Sequence, residues 1–328
     1  MGEKKIIAYK GFDENLCCRG FQYEVGKEYE HLGEVECHGS GFHACTNPLD
    51  AVYDYQIFGK SRFCIVEQSG VIKQDLVSSC STQASSKIRI KAEISLEELF
   101  MYALEMLTEE SRFPLLFGKS RCRGVVQLCG PHEKLSLGEN DTIIFSRDEA
   151  STISSSGVRS KICSTGRDAW ISSTGGATIG SDGVYARICS NGNSDEIVSG
   201  GFSASIASGG NFAIIGSMGG RAFISSSGEH AKIFSSGSRA SISSSGNYAL
   251  IESVGERSVI CCSGRNSAVK AKKGSWITLS EREENHMCPT CVKTKYVDGD
   301  RIKADTWYTL TDGKFCEMTD KDFRNYYV

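Results

Sequence analysis

Cysteine and histidine cluster over residues 37–45, where the sequence reads CHGSGFHAC. Cys37, His38, His43 and Cys45 are of the types that hold zinc. Neighbouring residues of a strand point to opposite sides, so Cys37 and His38 are poorly placed to share one ion. The sequence favours a turn followed by a partly buried GFHAC strand, with zinc binding as the alternative.

A second group, His286, Cys288 and Cys291, forms the pattern H-x-C-P-T-C. One C-x-x-C pair needs further ligands, such as Cys316, to complete a zinc site, and no thioredoxin-like βαβ pattern surrounds it. We expect no metal here and no cofactor, with Cys288 and Cys291 as the weak candidates. The chain also lacks G-x-S-x-G, P-loop and H-E-x-x-H motifs, which favours a non-enzymatic protein.

Composition sets broad limits on the class of protein. The net charge of the 328 residues is −3, which indicates neither direct nucleic-acid binding nor an acidic DNA mimic. No apolar run approaches the length of about 18 residues that a membrane span needs. Fifteen cysteines, some adjacent, do not resemble a secreted disulfide framework. We expect a soluble, cytosolic protein that does not bind membranes.

A repeat of nine residues occupies the middle of the chain. An apolar residue recurs every ninth position from Val126 to Val269, with one single-residue deletion near Gly176. Serine follows two positions later from Ser155 to Ser253, and glycine two positions after that. A short fixed period of this kind is typical of a solenoid.

The pattern within each repeat predicts strands. Ala-x-Ile-x-Ser alternates with period two, and the glycine supplies a turn through positive φ or close backbone approach. Two repeats should make one turn of a parallel β-solenoid, with turns about 4.8 Å apart. Each stacked serine should donate a hydrogen bond to the next turn. The acidic position of calcium-binding nonapeptide rolls is missing from nearly every repeat, Asp182 being an exception, so calcium is not expected.

The regions that flank the repeats lack the nine-residue period. Short strand-like runs and a capping-box helix that starts at Ser95 predict an α+β domain. Alternating apolar residues around Asp-Gly turns at 295–315 predict a small β cap. The sequence therefore predicts a mainly β protein with an N-terminal domain at 1–118, a solenoid at 119–281 and a C-terminal cap at 282–328.

Three N-terminal motifs resemble an uncharacterised domain of phage and prophage proteins. They are YKGFDENLCCRGFQYEVGKEY (9–29), GSGFHACTNPLDAVYDY (39–55) and SSKIRIKAEISLEEL (85–99). In such proteins the domain often precedes glycine-rich repeats and an ending like VDGDRIKADTWYTL. The resemblance implies phage origin and a bacterial cytoplasm, but no activity.

The same region is faintly similar to ADP-ribosyltransferases, whose nicotinamide pocket has a glycine-rich strand, a loop and a helix with a tyrosine. This resemblance implies a ligand site at Tyr9, His43 and Tyr53. The first strand lacks the His-Gly or Arg signature of those enzymes, and Glu93 is the best available catalytic glutamate.

Outward residues eighteen apart should stack on one side of the solenoid. One such side carries arginine and aromatic residues, which we predict to bind a partner: Arg221, Arg239, Arg257, Arg187, Tyr185, Trp170 and Phe223. Stacked arginines repel one another unless they are solvated or bridged by a carboxylate or phosphate. The opposite side carries a predicted exposed patch for self-association, with packing by a terminal domain as the alternative: Phe212, Ile214, His230, Phe234, Tyr248 and Leu250.

These features lead to one main functional hypothesis and two alternatives. We expect a phage-type binding protein, a homo-oligomer, that docks on a host protein or nucleoprotein complex. An anti-CRISPR-like inhibitor that acts by steric occlusion is its most concrete form. The alternatives are an ADP-ribosyltransferase-like NAD or nucleotide-binding protein on a solenoid stalk, and a structural component of the virion.

Overall fold

The computed structural model describes residues 4–54, 61–74, 81–112, 124–128, 130–282 and 288–319. The chain divides into two compact units, Met1–Ala103 and Leu104–Val328. No helix among the described residues is long and apolar enough to cross a membrane.

The N-terminal unit is a small antiparallel barrel with helices. Its elements are β1 (Ile6–Phe12), β2 (Cys17–Cys18), β3 (Phe21–Gln22), β4 (Glu28–Glu30), β5 (Phe42–Cys45), α1 (Pro48–Asp54), β6 (Arg62–Gln74), β7 (Thr82–Ile94) and the start of α2 (Leu96–Arg112). β5, β1 and β6 pair in that order, and β7 closes the ring because it pairs with both β5 and β6. The predicted capping box is present, since the Glu98 backbone N–H donates to Ser95 Oγ at 3.2 Å and Ser95 N–H donates back to the Glu98 carboxylate at 2.7 Å.

The second unit holds a parallel β-solenoid of about eight turns over residues 126–279, as the repeat predicts. Its strands are β8 (Gly124–Leu128), β9 (Lys134–Leu137), β10 (Thr142–Ser146), β11 (Thr152–Ser155), β12 (Ser160–Ser164), β13 (Trp170–Ser173), β14 (Ala177–Ser181), β15 (Arg187–Ser190), β16 (Glu196–Ser199), β17 (Ser205–Ser208), β18 (Ile214–Ser217), β19 (Phe223–Ser226), β20 (Lys232–Ser235), β21 (Ser241–Ser244), β22 (Leu250–Ser253), β23 (Val259–Cys262), β24 (Ala268–Ala271) and β25 (Trp276–Glu281). Each strand pairs in parallel with the strand two before it and the strand two after it. The even-numbered strands β8–β24 form one sheet, the even-strand sheet, and the odd-numbered strands β9–β25 form the other, the odd-strand sheet.

Antiparallel strands end the parallel stack. They are β26 (Cys291–Tyr296), β27 (Trp307–Thr311) and β28 (Lys314–Glu317). β26 pairs with β25, β27 pairs with β24, and β28 pairs with β27. These strands supply partners for the backbone groups of the last turn, which would otherwise be open sheet edges.

Isoleucines at the centre of successive strands fill the solenoid core. They stack from Ile144 through Ile260, and their side chains are at most 2% exposed. The repeat glycines are required by close approach and not by φ. A Cβ on Gly219, for example, would lie 2.0 Å from the carbonyl oxygen of Gly201 in the previous turn, and the φ of Gly219 is not positive. Glycine is therefore the residue that allows successive turns to stack.

The predicted serine ladder between turns is wrong. Where a strand-end serine has a side-chain partner, that partner lies five residues later: Ser146 bonds Ser151, Ser155 bonds Ser160 at 3.1 Å, and Ser253 bonds Ser258 at 2.9 Å. Most repeats have alanine at that later position. There the serine hydroxyl is buried and has no hydrogen-bond partner among the described residues: Ser164, Ser181, Ser199, Ser208, Ser217, Ser226, Ser235 and Ser244.

Left-handed backbone conformations recur at the two corners of each turn. The residue one or two positions before each strand, here called the corner residue, has φ between +51° and +61° from Asp141 to Asn266 wherever it is not glycine. Residues with side chains disfavour this conformation, and glycine and asparagine tolerate it best. The solenoid instead places arginine, tyrosine, phenylalanine and histidine at several corners.

Candidate functional site

Three consecutive corners before the odd strands carry arginine. Arg221, Arg239 and Arg257 precede β19, β21 and β23 and have φ of +58°, +59° and +58°. All three are exposed, and successive turns place them about 4.8 Å apart along the stack. No ion pair holds any of the three within the described residues. This arginine column is a row of exposed positive charge that no ion pair among the described residues neutralises.

The predicted neighbours of the arginine column lie beside it. Tyr185 occupies the same column two turns before Arg221. Trp170, Arg187 and Phe223 point outward from the odd-strand sheet in the next column, with Ser205 between Arg187 and Phe223. Arg187 lies over the Trp170 ring at 5.9 Å. The structure therefore brings the seven residues onto one exposed side of the solenoid.

Three further residues extend this side, and our reading of the sequence missed them. Phe202 is 43% exposed and lies under the Arg221 guanidinium at 5.6 Å. Val259 and Trp276 continue the Phe223 column and are 53% and 48% exposed. Counting the strand period further along the chain would have found Val259 and Trp276. The next outward column holds only small side chains, such as Ala207, which leaves the odd-strand sheet flat.

The corners before the even strands carry a stack of rings. Phe212 and His230 are 5.0 Å apart with planes at 9°, and His230 and Tyr248 are 4.8 Å apart with planes at 6°. Unlike the arginines, these side chains attract their neighbours, because offset stacking of flat rings is favourable. The ring stack therefore has a structural role that the arginine column lacks.

The predicted exposed patch is wrong for three of its six residues, whereas Phe212 is 47% exposed. Ile214, Phe234 and Leu250 point outward from the even-strand sheet but are only 2–3% exposed. Within the second unit, Leu107 of α2 lies against Gly180 of β14, where a Cβ would approach Leu107 Cδ1 to 3.1 Å. Because Ile214, Phe234 and Leu250 are buried, they are not available to a second copy of the chain.

The N-terminal unit contains a cavity of about 930 Å³. His43 lines it, and burial, followed by the nearby charge of Lys10, lowers the pKa of that imidazole. Tyr9 does not line it, because neighbouring residues of β1 point to opposite sides and Tyr9 meets the Tyr102 ring at 5.9 Å instead. The backbone of Tyr53 is in α1, but its side chain lies outside the described residues.

The residue that does enter the cavity from β1 is Lys10, which is 2% exposed. Its Nζ donates to the His43 carbonyl at 2.9 Å and to the Cys18 sulfur at 3.4 Å. Burial lowers the pKa of this ammonium group. The sequence contains one signal for it, since Lys10 alternates with the inward Ala8 and Phe12, but lysine in a strand is ordinarily read as a surface residue.

The candidate glutamate of a transferase is engaged elsewhere. Arg62 donates two hydrogen bonds to the Glu93 carboxylate, from Nε at 2.7 Å and from a terminal nitrogen at 2.5 Å. The hydrogen bond from Arg62 holds the pKa of Glu93 below its usual range. Glu93 does not line the cavity, so the structure does not bring together the residues that the transferase resemblance implies.

The two candidate metal groups were weak ones, and their described residues form no cluster. Among the described residues, no three or more Cys, His, Asp or Glu side chains are placed to share an ion. The Cys37 sulfur lies 3.3 Å from the Lys73 carbonyl, and the Cys45 sulfur lies 3.5 Å from Thr82 Oγ1. Cys288 is exposed and Cys291 is half-buried, and His286 lies outside the described residues.

Comparison with known proteins identifies part of the N-terminal unit. Residues 6–102 match a domain of unknown function, DUF7666. No curated protein and no solved structure matches the chain. The match agrees with the prediction of an uncharacterised N-terminal domain, and it does not extend into the solenoid.

Proposed function

We propose that this protein is a non-enzymatic docking protein, and that the arginine column and its aromatic neighbours bind an anionic surface of a macromolecular partner. The observation that carries the proposal is the position of Arg221, Arg239 and Arg257 at left-handed corners of three consecutive turns. Each corner would be more stable with glycine or asparagine, and each arginine repels the next.

An anionic partner would remove the unfavourable part of this arrangement. Guanidinium groups bind carboxylates and phosphates through paired hydrogen bonds, and a bridging anion turns the repulsion between arginines into attraction. The exposed rings of Trp170, Phe223 and Phe202 supply the large apolar contacts that dominate binding energies at protein interfaces. The flat odd-strand sheet lets a partner approach the whole row at once.

The partner that best fits this surface and the resemblance to phage proteins is a host protein or nucleoprotein complex. An anti-CRISPR-like inhibitor is the most concrete form of the proposal. Its mechanism would be steric occlusion, since a rigid solenoid laid along an anionic surface blocks access to it without any chemical step. A homo-oligomer would present more than one arginine column to the same partner.

The test uses the purified full chain and a partner identified by co-purification from a bacterial lysate. The reconstituted complex is then measured over a range of salt concentrations for wild type and for the triple variant Arg221→Asn, Arg239→Asn, Arg257→Asn. Asparagine suits a positive φ, so the fold is retained. Arg159→Asn is the matched control, because Arg159 is an exposed corner arginine with φ +58° that is already paired with Asp141 at 2.7 Å.

The triple variant should bind at least ~1000-fold more weakly, at about tenfold or more for each of the three charge-assisted contacts. Binding of wild type should weaken steeply with salt, and Arg159→Asn should bind like wild type. Wild-type affinity in the triple variant, or no stoichiometric partner in any bacterial host tested, would refute the proposal.

A further inference from the structure

The cavity of the N-terminal unit differs from the solenoid surface because it is lined by both rings and cations. Lys10 lies at its base, where the Phe12 and Tyr23 rings lie 5.5 and 5.8 Å from Nζ. Phe21 and Phe42 also line the cavity and meet edge to face at 5.9 Å. A volume of about 930 Å³ is within the range of small-molecule sites.

A second cation stands at the two-residue turn between β2 and β3. Arg19 lines the cavity, is exposed, and makes no ion pair or hydrogen bond within the described residues. Its φ is +50° and the next residue is Gly20 with φ +78°, so Arg19 occupies the position of a type I′ turn that asparagine and glycine favour. Like the corner arginines, Arg19 sits where its side chain is unfavourable for the backbone.

The acidic residues around the cavity are already engaged. The Asp13 carboxylate accepts from the backbone N–H groups of Asn15 at 2.9 Å and Cys17 at 2.7 Å. Glu30 pairs with Lys87 at 3.7 Å. The cations Lys10 and Arg19 act on each other through their charges, and both act on His43. A bound anion would relieve this mutual repulsion.

We propose that this cavity binds a small molecule with a planar ring and a carboxylate or phosphate group, which Lys10 and Arg19 recognise while the aromatic side chains contact the ring. The site is separate from the arginine column and does not depend on the docking function. Carboxylate and phosphate are bound by the same chemistry, so the test includes both.

Isothermal titration calorimetry of the full chain tests the proposal with 1-naphthoate, 1-naphthyl phosphate and neutral 1-naphthol. Either anion or both should bind, and 1-naphthol should bind at least ~10-fold more weakly, because one charge-assisted hydrogen bond corresponds to about tenfold or more. The tighter anion identifies the class of ligand.

Two variants and one control assign the binding groups. Lys10→Met and Arg19→Asn should each weaken binding of the tighter anion about tenfold or more. Arg19→Asn keeps the test decisive if Lys10→Met fails to fold, because asparagine suits the turn. Lys5→Met is the matched control, since Lys5 lies on the same chain segment but pairs with Glu67 at 2.8 Å outside the cavity. Equal binding of 1-naphthol, no binding of either anion, or wild-type affinity in Arg19→Asn would overturn the inference.

Discussion

Replacing the central arginine of the column should stabilise the protein. In Arg239→Gly, relief of the left-handed backbone contributes about 1–2 kcal/mol, and the greater freedom of glycine in the unfolded chain removes about 0.5–1 kcal/mol. The repulsion from Arg221 and Arg257 at about 5 Å is at most ~0.8 kcal/mol each in water and smaller after screening by salt. The net change is a gain of about 1 kcal/mol in the free energy of unfolding.

His230→Gly is the matched comparison, because His230 has nearly the same φ, +55° against +59°, at the other corner. The backbone gain is the same, but His230 stacks on both Phe212 and Tyr248, and each ring contact contributes about 0.5–1.5 kcal/mol. The net change for this variant is a loss of about 1 kcal/mol. The two substitutions, chemically alike at the backbone, should therefore shift stability in opposite directions.

The assay is thermal unfolding combined with amide hydrogen exchange over residues 221–257, since the turns of a repeat protein can open separately. We expect the melting temperature of Arg239→Gly to rise by about 2–4 °C and that of His230→Gly to fall by a similar amount. A fall in both variants would show that arginine is stabilising at its corner. The argument that the arginine column is retained for binding would then fail.

Three further predictions concern other parts of the solenoid. Burial raises the pKa of Asp195 to about 6, so ionisation of this carboxyl destabilises the folded protein. Asp195→Asn should therefore raise the free energy of unfolding by up to about 3 kcal/mol above pH 6. It should also flatten the pH dependence of stability between pH 4 and 6, as measured by urea unfolding. Gly219→Ala places a Cβ 2.0 Å from a carbonyl oxygen and should lower the free energy of unfolding by on the order of 3 kcal/mol or more. The control is Gly220→Ala, whose Cβ has its nearest contact at 3.5 Å and which should change the melting temperature little. Ser235→Ala removes a buried hydroxyl that has no hydrogen-bond partner among the described residues, and it should raise the free energy of unfolding by about 1 kcal/mol. Ser253→Ala breaks a 2.9 Å hydrogen bond and should lower it by a similar amount. Urea unfolding measures both.

The solenoid was predictable because its side chains follow two simple periods. Alternation within a strand fixes which residues point inward, and the nine-residue repeat fixes which residues stack. Those two rules place Arg221 beside Arg239 and Trp170 beside Arg187 before any coordinates are known. They also give the 17-residue turn at Gly176, where Ile162 pairs with Ile179.

The exposure of the outward side chains and the burial of Lys10 could not be predicted, because both depend on contacts between residues far apart in sequence. The repeat gives Phe234 and Phe223 the same outward direction, yet Phe234 is 3% exposed and Phe223 is 59% exposed. The nine-residue repeat does not determine whether the outer side of a sheet is buried, because that depends on residues outside the repeat. The position of Lys10 in the cavity was not predicted for a similar reason. The pairing of β7 with both β6 and β5 creates the cavity that the Lys10 side chain lines.

The glycine contacts that let successive turns stack involve different residues from the corner side chains that the solenoid exposes. The contact between Gly219 and Gly201 is independent of the residue at either corner. An in-frame duplication or loss of one whole turn would therefore lengthen or shorten the row of displayed charges by one without refolding the rest.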